Sequence, residues 1–231
     1  MNYTNLEKTI NLFALEKRVY IDKNTFYQIF KTTNHVSSLV DHLSSCEQKR
    51  VEDITHDQKR NAYILSHALT RILLTLTAKQ NLSPNSWLFQ HTDKNKPFIS
   101  GNIYFNISYA KDVCVICIST SYEVGIDISL YSYIENDALP LFLLHENEIT
   151  LLSKINKKEH YIHFLKMWTY KEAVAKALGL GISLSFNNID STLAQTKYSD
   201  QFISIFQKDL KIYLKKYRIC IAFIKPNLSP K

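Results

Sequence analysis

Glycine is scarce in this chain. Gly101, Gly125, Gly179 and Gly181 are the only four in 231 residues, so each marks a place where the backbone needs freedom. Long apolar runs are missing too. None approaches the roughly 18 residues that a membrane-spanning helix requires. Met1 to Tyr20 scatters Glu7, Lys8, Glu16, Lys17 and Arg18 among its apolar positions, and so lacks the uninterrupted apolar core of a secretory signal. A cytoplasmic protein with no membrane partner is expected. Cysteine is limited to Cys46, Cys114, Cys117 and Cys220. Cys114 and Cys117 lie in Val-Cys-Val-Ile-Cys-Ile, which reads as a buried strand. Zinc would need a turn between the two sulfurs and a second pair of ligands, and neither is visible. Buried free thiols are expected instead, which suits a reducing compartment. Low-complexity segments are absent.

What is present is a globular composition, 45% hydrophobic, with a net charge of +7. Surplus basic charge fits nucleic acid, a membrane surface, an acidic protein or a phosphorylated small molecule, or simply a solvated lysine-rich surface. Nucleic acid is the weakest of these. The lysines are dispersed, and no aromatic platform, helix-turn-helix or zinc motif accompanies them.

Residues 3–14 read as a strand or mixed edge, and residues 25–30 as a short helical piece. Between Glu47 and Gln80, Tyr63, Ile64, His67, Ala68, Arg71, Ile72 and Leu74 recur at helical spacing, which predicts one or two helices closed by Asn81 and Pro84. Thr92 to Pro97 is a polar turn. Strand-like runs follow at 103–108, 113–119 and 123–128, joined by short loops, so an antiparallel meander is expected. Residues 139–152 and 160–178 read as helices, with Gly179 as the C-terminal cap of the second. Further strands are expected at 182–184, 201–207 and 217–224, and a frayed end after Pro226. The fold class is α+β. The order of elements suggests two similar α/β halves in a pseudo-twofold arrangement, 1–125 and 126–231, without a sequence repeat to prove it.

Three segments carry candidate chemistry. In Val124-Gly125-Ile126-Asp127-Ile128-Ser129, strand alternation puts Val124, Ile126 and Ile128 in a core and Gly125, Asp127 and Ser129 on the opposite face. Asp127 is then either an acid beside a glycine that permits close approach, or a solvent-facing residue entering a turn. In the helix through Met167–Gly179, a step of about 100° per residue gathers Phe164, Met167, Trp168, Val174, Ala175 and Leu178 into one apolar arc. Lys171 falls inside that arc, so it must snorkel, pair or meet an anion. Glu172 and Lys176 lie one turn apart and could be an ordinary helix pair. Finally, Lys94, Lys96 and Pro97 make a basic turn before a strand on which Tyr104, Asn106 and Ser108 share a face. One or two carboxylates with several lysines suit Mg2+ and phosphate oxygens, and hence phosphoryl-type transfer.

These residues resemble a known family. Gly125-Ile126-Asp127-Ile128, followed by Trp168-Thr169-Tyr170-Lys171-Glu172-Ala173 with Lys176 and Gly179, is similar to the paired signatures of the 4'-phosphopantetheinyl transferases. Asn95-Lys96-Pro97 and Phe105-Asn106-Ile107-Ser108 resemble the family's GKP turn and FNxSH strand. Leu43-Ser44 with Glu47 and Arg50, and Ala68-Leu69-Thr70-Arg71, resemble its N-terminal half. The length fits the longer, Sfp-like type.

That resemblance implies a monomeric holo-[acyl-carrier-protein] synthase-type enzyme of two halves, with coenzyme A in the cleft between them. It would move phosphopantetheine to a serine of an acidic acyl or peptidyl carrier protein and release adenosine 3',5'-bisphosphate. Asp127 and Glu172 would hold Mg2+, with Ser129 or a water completing the site, and Glu172 would be the base. Lys171 and Lys176 would neutralise the diphosphate. Lys96, Pro97, Ser108 and Tyr109 would line coenzyme A, and Arg50 would meet its 3'-phosphate. Two positions depart from the pattern: Ser129 stands where many members carry an acid, and Tyr109 where they carry histidine. The alternative they leave open is a non-catalytic relative that binds coenzyme A or carrier protein.

Overall fold

A computed structural model describes residues 2–132, 139–181 and 185–225. It divides into two compact units, residues 1–91 with 97–121, and residues 92–96 with 122–231. Each contains helices and a four-stranded antiparallel sheet, and the α+β expectation holds.

The first unit opens with α1 (Tyr3–Phe13), a helix where a strand was expected. Leu6, Ile10 and Phe13 fall at helical spacing and are buried, and the Asn2 side chain accepts the Asn5 N–H at its start. Two strands follow, β1 (Val19–Tyr20) and β2 (Thr25–Lys31). The helical expectation for 25–30 is corrected by the burial of the first six residues of β2, which covers both faces of the segment. A helical stripe would have left one side exposed. Next come α2 (Ser45–Asp53) and the long α3 (Asp57–Ala78), where one or two helices were expected. A Ser44–Glu47 capping box starts α2. The short strands β3 (Gln90–His91) and β4 (Pro97–Phe98) flank the polar turn. They are followed by β5 (Tyr104–Ala110) and β6 (Val113–Ser119). The main sheet runs β1-β2-β6-β5, and residues from α1, α3, β2, β5 and β6 share one core. Cys114 and Cys117 are buried free thiols on β6.

Beyond the turn residues 92–96, the second unit continues with β7 (Glu123–Leu130). The expected meander breaks here. Strand β6 already pairs with β2 along one edge and β5 along the other, so it has no edge left for β7. Instead β7 pairs with β10. A single-turn 3-10 segment, Leu141–Leu143, precedes α4 (Glu146–Ser153), so the helix expected over 139–152 is split. The His145–Glu148 capping box sets where α4 starts. Helix α5 (Lys157–Leu178) is capped by Gly179 in the left-handed conformation, as its sequence implied. The strands β8 (Gln195–Tyr198), β9 (Gln201–Ile212) and β10 (Lys215–Lys225) complete a sheet of order β7-β10-β9-β8. The expected strand at 182–184 and the end after Pro226 lie outside the described residues.

Gly125 determines how closely α5 approaches this sheet. A β-carbon there would lie 2.1 Å from the Ala173 carbonyl oxygen and 2.2 Å from the Ala177 nitrogen. The face of β7 shared by Gly125 and Asp127 is therefore the helix-packed face, not an open one. Gly125→Ala is expected to cost about 1–3 kcal/mol through overpacking, read as a lower urea midpoint with an unchanged slope.

Candidate functional site

Asp127 and the last turns of α5 meet because of that close packing. Asp127 is 7% exposed. Lys176 Nζ donates to its Oδ1 at 2.6 Å, and the Ser129 hydroxyl donates to its Oδ2 at 3.3 Å. Half-buried Glu172 stands one turn before Lys176 on the same helix. Burial pushes the Glu172 carboxyl above the usual carboxylate range and Asp127 adds to the rise, while Lys176 opposes it. The structure thus brings together Asp127, Ser129, Glu172 and Lys176. Asp127 pairs with the ammonium, and Glu172, within electrostatic reach of both, is held in a setting that disfavours its charge.

Such a site fits a hard cation. Carboxylate and hydroxyl oxygens are the donors Mg2+ prefers, and Mg2+ commonly takes one or two carboxylates plus phosphate oxygens and waters. Among the described residues no group of three or more His, Cys, Asp or Glu side chains forms a metal cluster. The two-carboxylate arrangement is of the kind completed by a substrate's own oxygens. A cation beside Glu172 would also offset the burial of its charge.

Lys171 is a correction. It does not reach toward a phosphate. Its side chain is 1% exposed and its ammonium lies 2.8 Å from Glu148, itself 0% exposed. Nζ also donates to the carbonyls of Leu143, Phe186 and Ile189 at 2.7–3.1 Å. With a carboxylate and three carbonyls around it, the ammonium has no donor left for coenzyme A. Pairing was among the outcomes open to a lysine in that arc, and Glu148 is the partner that sequence reasoning missed.

Lys96 is also engaged. Nζ donates to Glu123 at 2.7 Å and to the Ala177 carbonyl at 2.9 Å, which satisfies an end group of α5. The turn before it places Asn95 at φ 61°, a conformation asparagine tolerates.

The remaining candidates sit in the first unit. Pro97 opens β4. Ser108 is buried on β5, and next to it Tyr109 keeps 45% of its surface exposed. Desolvation raises the Tyr109 phenol's pKa, with Ser66 opposing as a hydrogen-bond partner, so this position stays neutral. Arg50 is exposed in the last turn of α2. One turn earlier, Glu47 is the hub of a buried network. It accepts from the Ser44 N–H and hydroxyl at 2.9 Å, and lies 2.8 Å from His67 and 2.6 Å from Arg71. Burial alone would raise its carboxyl, but the His67 and Arg71 contacts win and hold it at about 2. Arg71 then donates to the Pro84 and Trp87 carbonyls. The capping pattern Ser44-x-x-Glu47 was readable in the sequence, but its ties to α3 were not.

Asp127, Glu172 and Lys176 thus meet where a helix lies on an antiparallel sheet, with an acid on the strand and an acid and a lysine on the helix. Residues 123–222 match the sequence model of the 4'-phosphopantetheinyl transferase superfamily. The chain is 35% identical to 4'-phosphopantetheinyl transferase gsp of Aneurinibacillus migulanus over 118 residues, 50% of this chain and 49% of the relative. It therefore spans about half the length of that relative. Longer matches join it to 4'-phosphopantetheinyl transferase HetI of Nostoc sp. (25% identical, 85% of this chain and 83% of the relative). A similar match joins it to Sfp of Bacillus subtilis (26% identical, 77% of each). The chain is thus similar to 4'-phosphopantetheinyl transferases, the family that its two signature motifs resemble.

Proposed function

We propose that this chain transfers the 4'-phosphopantetheine group of coenzyme A to a serine hydroxyl of an apo carrier protein. The observation that carries this reading is Glu172, a carboxylate with raised proton affinity beside the Asp127–Lys176 pair. A base is most useful when its pKa moves toward the working pH.

The proton of the carrier serine passes to Glu172, directly or through a water. The serine oxygen then bonds to the β-phosphorus of the coenzyme A diphosphate. The bond from that phosphorus to the bridging oxygen breaks, and adenosine 3',5'-bisphosphate leaves with the electron pair. Lys176 places positive charge beside the reacting phosphate as negative charge builds. Asp127 holds the Lys176 ammonium in place and, with Glu172 and the Ser129 hydroxyl, would hold Mg2+. The ion's contribution would be to neutralise phosphate oxygens. Lys96, Pro97, Ser108, Tyr109 and Arg50 are the proposed coenzyme A contacts. Lys96 would exchange Glu123 for a phosphate.

Intact-mass spectrometry of an apo carrier protein tests the reading. A gain of one phosphopantetheine with coenzyme A and Mg2+, lost on chelation, supports it. Coenzyme A binding with no gain on any of several carriers would favour the non-catalytic relative. Asp127→Ala is expected to slow transfer by on the order of 10²-fold and to shift the Mg2+ titration to higher concentration. An unshifted titration would remove Asp127 from the metal site.

A further inference from the structure

The hairpin joining β9 and β10 has features that neither the fold nor the site explains. Its turn is Tyr213-Leu214. Leu214 is 94% exposed and Tyr213 65% exposed, although two-residue hairpin turns favour Asn and Gly. Tyr213 takes the left-handed conformation, φ 54°, that such a turn demands and that Asn or Gly would adopt at lower cost. Just below the turn, Lys211 and Lys216 face each other across the two strands. Like charges directly opposite destabilise a sheet. Asp209 is the one acid on β9 and β10, and it already holds Arg218 at 2.9 Å and the Tyr131 hydroxyl at 2.8 Å.

The register shows where this basic, apolar tip points. Along β10, Lys216, Arg218 and Cys220 share one face, and Lys211 joins it across the ladder. Cys220 is opposite Asp127, and Arg218 is opposite Ser129. The lysine pair therefore lies on the same sheet face as Asp127, four residues further along. At about 3.3 Å per residue that is ~13 Å. A protein domain of about 100 residues has a radius of gyration near 13 Å. Any such domain that brings a serine to Glu172 would extend to this distance from the site.

We infer that the β9–β10 tip is a docking element for an acidic protein substrate. Lys211 and Lys216 meet its carboxylates, and Tyr213 and Leu214 pack on its apolar surface. This rests on the transfer function proposed above. An anionic membrane could also take a basic, apolar tip. The shared face with Asp127 favours a protein, because a lipid surface has no serine to present.

The test uses Lys211→Glu and Leu214→Asp in the full chain, with fluorescently labelled apo acyl carrier protein. Lys211→Glu converts the like-charged pair with Lys216 into an opposite-charged one, so its melting temperature should hold or rise. Affinity for the carrier, read by anisotropy without coenzyme A, should fall about 10-fold in either variant, and the salt dependence of binding should flatten. In turnover, KM for the carrier should rise while kcat and KM for coenzyme A stay put. Carrier affinity equal to wild type in both variants would overturn the inference, as would a loss confined to phosphatidylserine vesicles. If the wild-type chain binds the carrier through this tip but transfers nothing, the docking surface stands and the transfer reading falls.

Discussion

Glu172→Gln is expected to lower turnover by about 10²–10⁴-fold, the range a positioned general base contributes, while the fold survives. The amide keeps the shape of the carboxyl, so packing at the half-buried position on α5 is retained. What is lost is the acceptor for the serine proton and one oxygen charge toward Mg2+. Stability should move the other way. Burial raises the Glu172 pKa in the folded chain, so the folded state binds this proton more tightly than the unfolded one. That contribution is present below the ordinary value of 4.5 and is lost as pH rises through the folded value. At neutral pH in chelator the ionised carboxyl is therefore a liability, and Glu172→Gln should melt no lower than wild type. Adding Mg2+ should raise the melting temperature of wild type more than that of the variant. Turnover within a few-fold of wild type would show that Glu172 is not the base. A variant that melts lower in chelator would show that its charge is satisfied without a cation.

The elements readable from sequence were those whose signal is local. Helices α3 and α5 are long enough for apolar periodicity to stand out, and β5, β6, β9 and β10 are continuous apolar or alternating runs. Helix α1 was not readable. Its three buried residues, Leu6, Ile10 and Phe13, are separated by Asn, Thr, Lys and Glu, and packing makes the helix clear. Strand β2 failed for the opposite reason: burial on both faces removes the period. The pairing of β7 with β10 is non-local, and short loops pointed to the wrong neighbour. The site divides the same way. Strand and helix spacing left Asp127, Glu172 and Lys176 open to ordinary readings, the resemblance to the family's motifs singled them out, and the structure brings them together. Glu148, Glu123 and the Glu47–Arg71 contact came from tertiary packing alone. Gly125 was readable as a point of close approach, but what approaches it is α5.

Lys171→Met is expected to destabilise the second unit by about 3–5 kcal/mol, the cost of leaving one half of a buried ion pair. Burial pushes the Lys171 pKa down and Glu148 pushes it back, with burial the larger influence. The pair therefore adds little net stability, yet each partner depends on the other. Without the ammonium, Glu148 keeps, among the described residues, the N–H groups of His145 and Ser191. The carbonyls of Leu143, Phe186 and Ile189 lose their shared donor. Replacing both partners with Lys171→Met and Glu148→Leu should recover part of the loss, because no charge is then stranded. Urea denaturation followed at Trp168, which packs on Phe186 with ring centroids 5.4 Å apart, reads this directly in a Trp87→Phe background. Turnover separates the two roles assigned to Lys171. A tether for the segments around Leu143 and Ile189 predicts that kcat of the double variant returns along with its stability. A diphosphate contact predicts that stability returns and kcat does not, which would restore Lys171 to the reacting phosphates.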